Sequence, residues 1–285
     1  MTGIKLCDYR KKLIETVRDI IPDEAAAITD AVLCKAMAVE RSKLFTMLDT
    51  DTPENIMPFV KSCVMELSVG KPLQYILGEC NFYGYDIEVG NGVFIPRSDT
   101  EIGVEAALSV LKDGDIFADI CSGSGCIAKA IAMEKKTVSG YALELSRKAL
   151  TYTEKNLADV HNVAVRRFDA LDEDDYISLS AVIERPLDMV ICNPPYIPTD
   201  DIAMLDTQVS YEPETALDGG EDGLRYYRAV TDLSQIILKN DGTLIYEIGI
   251  NQCEDVSKIL RSYGYNVAVI KDLQKIDRIL LAKRY

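Results

Sequence analysis

The sequence predicts an α/β fold: a doubly wound parallel sheet with an antiparallel final strand, preceded by a small N-terminal helical bundle and a β-hairpin connector. Three observations carry this. From Asp115 onward, short apolar runs alternate with helical patterns, as repeated β-α-β units with right-handed crossovers require. The first ~70 residues show helical periodicity only. The last two apolar runs are separated by too few residues for a crossover helix, so they pair antiparallel. The expected domains are residues 1–71 (helical), 72–95 (connector) and 96–285 (sheet domain).

Leu6, Tyr9, Leu13, Val17 and Ile20 recur at helical spacing and predict the first helix. Pro22 opens a second over 24–38, and a short piece spans 42–48. Thr52 and Pro53, a cap followed by a first-turn proline, start a helix running to Val69, with Gly70 as its stop. Residues 75–84 and 85–89 read as a hairpin turning at Gly84. A helix begins after Pro96 and runs to about Leu111, capped by Ser98 or Asp99.

The sheet domain then reads in order. A strand over 116–120 leads through Cys121-Ser122-Gly123-Ser124-Gly125 into a helix ending at Met133. A strand over 138–143 ends at Glu144, a helix covers 146–158, and a strand over 163–168 ends at Asp169. The acidic run from Asp172 to Asp175 reads as a solvated face. A strand over 187–192 stops at Asn193-Pro194-Pro195-Tyr196. After a long loop, 197–223, come a helix over 224–238, a strand over 243–248, a helix over 252–262, and strands over 265–270 and 278–282. Loops of that length at a sheet's carboxyl edge are usually functional.

The chain has 285 residues, 48% hydrophobic and 27% charged, the balance of a soluble globular protein. No apolar run approaches the ~20 residues of a membrane span. The stretch from Met1 to Arg10 lacks a secretory apolar segment, so a cytoplasmic location is expected. With 46 acidic against 31 basic residues the net charge is −15. That argues against stable, sequence-independent nucleic-acid binding, which rests on basic side chains neutralising phosphates. It suits a small-molecule substrate or a basic protein partner, and solubility alone also accounts for it. The eight cysteines are scattered without a CxxC pair and there is a single histidine, His161, so no metal site is expected and the thiols read as reduced and mostly buried. His161 follows Val160 at a helix end, where capping is its expected role.

Four strand ends carry candidate chemistry. Asp119-Ile120-Cys121-Ser122-Gly123-Ser124-Gly125 is a glycine-bearing strand–helix junction, where backbone N–H groups can meet a ligand. It is not the dinucleotide fingerprint, and alone it is also a plain tight turn. Glu144 stands where an acid can accept both hydroxyls of a ribose, or simply face solvent. Asp169 and Ala170 stand where an adenine amino group could be reached. Asn193-Pro194-Pro195-Tyr196 is stiff, because proline removes a donor, fixes φ and holds the preceding residue extended. It offers an amide, backbone carbonyls and an aromatic ring.

This order of motifs resembles class I S-adenosylmethionine-dependent methyltransferases, whose Rossmann-like sheet matches the one predicted above. Asn193-Pro194-Pro195-Tyr196 is similar to the motif of enzymes that methylate planar amino or amide nitrogens. Further segments narrow the likeness: Pro72 to Gly78, Phe82-Tyr83-Gly84, Ile95 to Glu101, Glu212 to Leu217, Asp222-Gly223-Leu224, Glu247-Ile248-Gly249, and Lys271-Asp272-Leu273 with Asp277-Arg278. Together they resemble the release factor glutamine methyltransferases from about residue 70 onward. The helical N-terminus fits that family only in length and class.

The resemblance implies methyl transfer from S-adenosyl-L-methionine, with S-adenosyl-L-homocysteine as product. The acceptor it implies is the side-chain amide nitrogen of the glutamine in the Gly-Gly-Gln motif of class 1 peptide chain release factors, as protein substrate, a step that modulates translation termination. It implies cofactor binding by Asp119, Cys121, Ser122, Gly123, Ser124, Gly125, Glu144, Asp169, Ala170 and Asn193, and binding of the target glutamine by Asn193, Pro194, Pro195 and Tyr196. No metal and no membrane enter. Three departures stand out. Cys121 replaces a frequent glycine, a change asking only for a φ that an ordinary residue adopts. Cys192 stands where serine is frequent. Ser98 stands where proline is common, and Pro-Arg-Ser also occurs in a sister family that methylates a ribosomal-protein glutamine. That sister activity, an adenine amino methyltransferase and an inactive binding module are the competing readings. The charge disfavours the second, and the intact Asn193-Pro194-Pro195-Tyr196, Gly123 and Gly125 disfavour the third.

Overall fold

The alternation of apolar runs and helical stripes resolves into two compact units in the structure, a computed structural model that describes residues 4–284. One unit is the chain up to Gly78 together with Thr207–Tyr211; the other is the remainder.

The first unit holds α1 (Leu6–Arg18), α2 (Ala25–Met37), α3 (Arg41–Thr46), α4 (Met57–Ser68) and α5 (Leu73–Leu77). Leu6, Leu13, Val17, Ile28, Val32, Leu33, Leu44, Val60 and Leu67 close its core. Asp30, 1% exposed, is held there by Arg10, whose Nε lies 2.6 Å from Oδ1, and by Arg41 at 3.2 Å. A buried carboxylate is tolerable only when so paired. The expected start at Thr52-Pro53 is a 3-10 turn, Glu54–Ile56, and the α-helix begins at Met57.

In the second unit the hairpin is β1 (Glu79–Phe82) and β2 (Tyr85–Glu88). Tyr83 and Gly84 turn it with φ of 54° and 82°, the left-handed pair that matches strand twist. Its expected first arm began too early. Tyr75-Ile76-Leu77 belong to α5, because Gly78 at φ 77° ends a helical turn there. After a 3-10 turn, Ser98–Thr100, comes α6 (Glu101–Val110); neither Ser98 nor Asp99 caps it.

Then follow β3 (Ile116–Ile120), α7 (Cys126–Glu134), β4 (Ser139–Glu144), α8 (Arg147–Asn156), β5 (Val163–Arg167), α9 (Glu173–Ser180) and β6 (Leu187–Cys192). After the loop come α10 (Arg225–Leu233), β7 (Leu238–Glu247), α11 (Cys253–Ser262), β8 (Asn266–Lys271) and β9 (Asp277–Lys283). Three expectations change. The acidic run is not only a solvated face: Asp172 caps α9 by accepting from Asp174 N–H at 3.1 Å, and acids there complement the helix dipole. Leu238 is not helical, since it is nearly buried opposite Leu187 as the first residue of β7. His161 caps nothing; it is exposed in the turn after α8, whose C-cap is Leu157. The cysteines are free thiols, but only Cys63, Cys126 and Cys192 are buried.

The seven-stranded sheet has the order β5-β4-β3-β6-β7-β9-β8. Neighbours from β5 to β7 are parallel, and β9 runs antiparallel between β7 and β8. The chain thus winds outward from β3 to β5, then returns to the other side of β3 with β6. That reversal is the switch point of the sheet, and open α/β sheets bind their ligands at such a point, beyond the carboxyl ends of the strands. The central strands are buried along almost their whole length: Phe117, Ala118, Ile120, Met189, Val190 and Ile191 are at most 2% exposed.

Candidate active site

The loops after β3 and β6 flank the switch point. After β3 the backbone makes three left-handed residues in five: Cys121 at φ 61°, Gly123 at 56° and Gly125 at 78°. The expectation that Cys121 needs only an ordinary φ is therefore wrong. A β-carbon in that region costs roughly 1–2 kcal/mol, which is why glycine is the easier residue there. The two glycines serve different ends. A Cβ on Gly125 would lie 2.9 Å from Thr153 of α8, so that position is set by packing. A Cβ on Gly123 would meet nothing within 4 Å, so open space borders that backbone.

Helix α8 holds this loop by its carbonyls. Thr153 Oγ1 donates to Gly123 O at 2.7 Å and Asn156 Nδ2 donates to Ser124 O at 2.9 Å. Glu144, at the end of β4, holds it by an amide: Gly123 N–H donates to Oε2 at 2.8 Å, while Ser146 N–H donates to Oε1 at 2.7 Å. Burial raises the Glu144 pKa above its ordinary value, and those backbone donors oppose the rise. Asp119 lies beneath the loop rather than on its rim. It is 0% exposed, Ala128 N–H donates to Oδ2 at 3.1 Å, and burial pushes its carboxyl well above the usual range. Ser122 and Ser124 are also buried, with hydroxyls that find no partner among the described residues. At the end of β5, Asp169 Oδ1 accepts from Leu171 N–H at 2.9 Å, Asp175 accepts from Asp169 N–H at 2.7 Å, and Ala170 is buried. Tyr226 of α10, unremarked in the sequence, is half-buried within electrostatic reach of Cys121 and Asp169.

After β6, Pro194 and Pro195 are buried while Asn193 and Tyr196 stay half-accessible. Three glycines from distant segments cradle Tyr196. A Cβ on Gly219 would lie 2.7 Å from Tyr196 Cα, one on Gly223 would lie 2.4 Å from its carbonyl oxygen, and one on Gly249 would lie 3.0 Å from its ring. Gln252 ties the same place: Nε2 donates to Tyr196 O at 2.9 Å, and Gly249 N–H donates to Oε1 at 2.9 Å. The long loop returns to the motif, with Ile197 N–H donating to Leu217 O at 2.9 Å and Gly219 N–H to Ile197 O at 2.8 Å. Glu212 from the same loop accepts from Arg97 and from Ile95 N–H. Burial, with Glu247 nearby, pushes the Tyr196 phenol up to about 12, so it stays neutral.

Asn193 Nδ2 lies 3.4 Å from Thr100 Oγ1. Beside both is Glu247, at the end of β7 and 4% exposed. Sequence reasoning gave it no role, although an acid ending an apolar strand is the same signal that marked Glu144. The glycine cradle and Gln252 had no comparable signal, since each acts across a long sequence separation. Among the described residues no group of histidines, cysteines and acids could hold a metal, and no helix is long and apolar enough to cross a membrane.

A family model described as a methyltransferase small domain matches residues 84–208. A release factor glutamine methyltransferase of Thermodesulfovibrio yellowstonii is 34% identical over 283 residues, covering 96% of this chain and 98% of that protein. One of Clostridium acetobutylicum is 33% identical over 282 residues, covering 95% and 94%. Among solved structures, a methyltransferase from Pyrococcus furiosus has a TM-score of 0.51 at 16% identity, over 71% of this chain and 90% of that one, a likeness of fold.

Proposed function

The chain belongs to the release factor glutamine methyltransferase family, and on that premise we propose that it methylates the side-chain amide nitrogen of the glutamine in the Gly-Gly-Gln motif of class 1 peptide chain release factors. The observation that carries this reading is the placing of Asn193 at the switch point, next to the loop of Cys121 to Gly125 and with its amide N–H end turned toward Thr100.

S-adenosyl-L-methionine, when bound, supplies an electrophilic methyl on a positively charged sulfur and leaves as S-adenosyl-L-homocysteine. The residues present fit that group. Open space borders Gly123, and the loop's carbonyls are taken up by α8. Glu144 and Asp169, with Ala170, end the adjacent strands β4 and β5, where acids can accept from ribose hydroxyls and an adenine amino group. Cys121, Ser122, Gly123, Ser124 and Gly125 shape the wall between, and Asp119 anchors the helix that follows it by accepting from Ala128 N–H.

An amide nitrogen is a poor nucleophile, because its lone pair is delocalised into the carbonyl. Asn193 Oδ1 and the Pro194 carbonyl accept its two N–H groups, which raises electron density on nitrogen and fixes its direction. Pro195 stiffens the loop and Tyr196 packs on the planar amide. Positioning of this kind supplies several kcal/mol, up to roughly 7–11 in ideal intramolecular cases. The proton leaves after attack, so no general base is required.

The test is transfer of labelled methyl to a recombinant release factor, run beside ribosomes and DNA. Label on the release factor is expected. Label on ribosomes alone would move the chain to the sister activity, and label on DNA to adenine chemistry.

A further inference from the structure

An asparagine amide has two ends of nearly the same shape. Only the oxygen end can receive the N–H groups of an acceptor amide, so a site built on Asn193 needs something to forbid the flipped rotamer. Behind Asn193 a small cavity runs between α6, α7 and the sheet. Apart from the Cys192 thiol, its polar lining is Thr100, Asn193 and Glu247; the rest is glycine and isoleucine. Thr100 Oγ1 faces Asn193 Nδ2 at 3.4 Å, and the Glu247 carboxylate lines the same small cavity as both. An ionised carboxylate only accepts, so it can face only the NH2 end of Asn193. With Asn193 donating to Thr100, the Thr100 hydroxyl is free to donate to Glu247, and the opposite end of the Asn193 amide, Oδ1, is the one left for an acceptor.

We propose that Glu247 is a positioning residue for methyl transfer: in its ionised form, with Thr100, it locks the Asn193 amide with Oδ1 toward the acceptor nitrogen. This rests on the reading of Asn193 as the group that receives the target amide. Glu247 Oε2 is buried with no partner among the described residues. An uncompensated buried acceptor of that kind costs free energy, as expected of a group kept for its effect on a neighbour rather than for stability.

The proton on Glu247 is the switch. When protonated, it donates, and the flipped Asn193 satisfies it equally well. Burial raises its pKa to about 7; the Thr100 hydroxyl, the Arg278 guanidinium of β9 and the Asn193 amide oppose the rise, and the Asp99 carboxylate adds to it. Tyr227 of α10 donates to the Glu247 backbone carbonyl at 2.9 Å, and its phenol, like that of Tyr196, stays neutral through this range. The working form is the deprotonated one, so the rate rises with pH through about 7.

The test uses the full-length protein labelled with nitrogen-15. The side-chain NH2 signals of Asn193, identified by their loss in Asn193→Ala, are followed from pH 5.5 to 8.5. An inflection near 7 that disappears in Glu247→Gln is expected; no inflection, or one that survives in Glu247→Gln, overturns the proposal. In parallel, Thr100→Val, which keeps the side-chain shape, should cut kcat about tenfold, the loss of one hydrogen bond to a charged group, while Thr100→Ser restores it. Cofactor affinity should not change in either. Glu247→Gln should lose the acid limb of the kcat/KM profile. Wild-type kcat in Thr100→Val, or an unchanged pH profile in Glu247→Gln, also overturns it. If the Asn193 signals titrate as expected yet Asn193→Ala transfers methyl at full rate, the functional reading of Asn193 fails while the lock itself stands.

Discussion

Replacing Gly219 by alanine adds one methyl group, and the structure says where it goes. The new Cβ would lie 2.7 Å from Tyr196 Cα and 2.9 Å from both Tyr196 C and Gly223 Cα. All three are backbone atoms, so no flexible side chain can yield. Gly219 is not in the left-handed region, so alanine adds overlap without conformational strain. Ordinary contact begins near 3.4 Å, so the motif must retreat by about 0.7 Å or the returning loop must lift. Overpacking of this size destabilises by about 1–3 kcal/mol. A misplacement approaching 1 Å at a reacting centre costs up to about 100-fold in rate. We therefore predict a fall in kcat of about 10–100-fold with cofactor affinity intact, because the contacts of Cys121 to Gly125 and of Glu144 do not involve Gly219. Single-turnover methyl transfer and calorimetric titration of the cofactor measure the two effects separately. A Gly219→Ala enzyme that reacts at the wild-type rate would refute the claim that the long loop sets the position of Tyr196.

Other perturbations probe the remaining parts. Asn193→Ala should abolish transfer while leaving cofactor binding; full activity would remove the amide-acceptor mechanism. Glu144→Ala should weaken cofactor binding by about 1–3 kcal/mol, since a hydrogen-bonding carboxylate is lost and two backbone N–H groups are left without their acceptor. Unchanged affinity would take Glu144 out of the site. Cys121→Gly relieves roughly 1–2 kcal/mol of left-handed strain and gives back about 0.5–1 in unfolded-state freedom, so Tm should hold or rise slightly. A fall in Tm would mean that thiol packing outweighs the strain. Glu247 supplies a pH signature in stability. The folded protein keeps its proton up to about 7, against 4.5 for an ordinary glutamate. The native state therefore binds the extra proton between those values, and the contribution of Glu247 to stability falls as pH rises through that window. Glu247→Gln should remove that decline from a plot of Tm against pH, and an unaltered plot would contradict the raised pKa.

Much of the sheet was legible because its strands are buried on both faces and end at residues that cannot continue them. The apolar run over 116–120 and the run into Asn193-Pro194 both matched their strands residue for residue. Where local preference and tertiary burial disagreed, burial won. Tyr75-Ile76-Leu77 has strand-forming composition, yet Pro72 and Gly78 bracket it as a helical turn. Leu238 continues a helical stripe, yet it joins the strand that pairs with Leu187. Strand ends were visible as single residues, so Glu144, Asp169 and Asn193 could be picked out one at a time. What connects them was not visible. Gly219 and Gly223 from the long loop, and Gly249 and Gln252 from the turn after β7, converge on Tyr196, and nothing within either loop announces the other. Cys121 was misjudged for a related reason: its left-handed φ is imposed by the turn between β3 and α7, not by any preference of cysteine.

The central claim is that the acceptor is a glutamine amide nitrogen of a release factor, and mass spectrometry of the modified substrate tests it most directly. After reaction with methyl-labelled cofactor, the account predicts one label per release factor, on the side chain of the Gly-Gly-Gln glutamine, and none when that glutamine is replaced by alanine. Label at any other residue, or undiminished labelling of the substituted release factor, would contradict it.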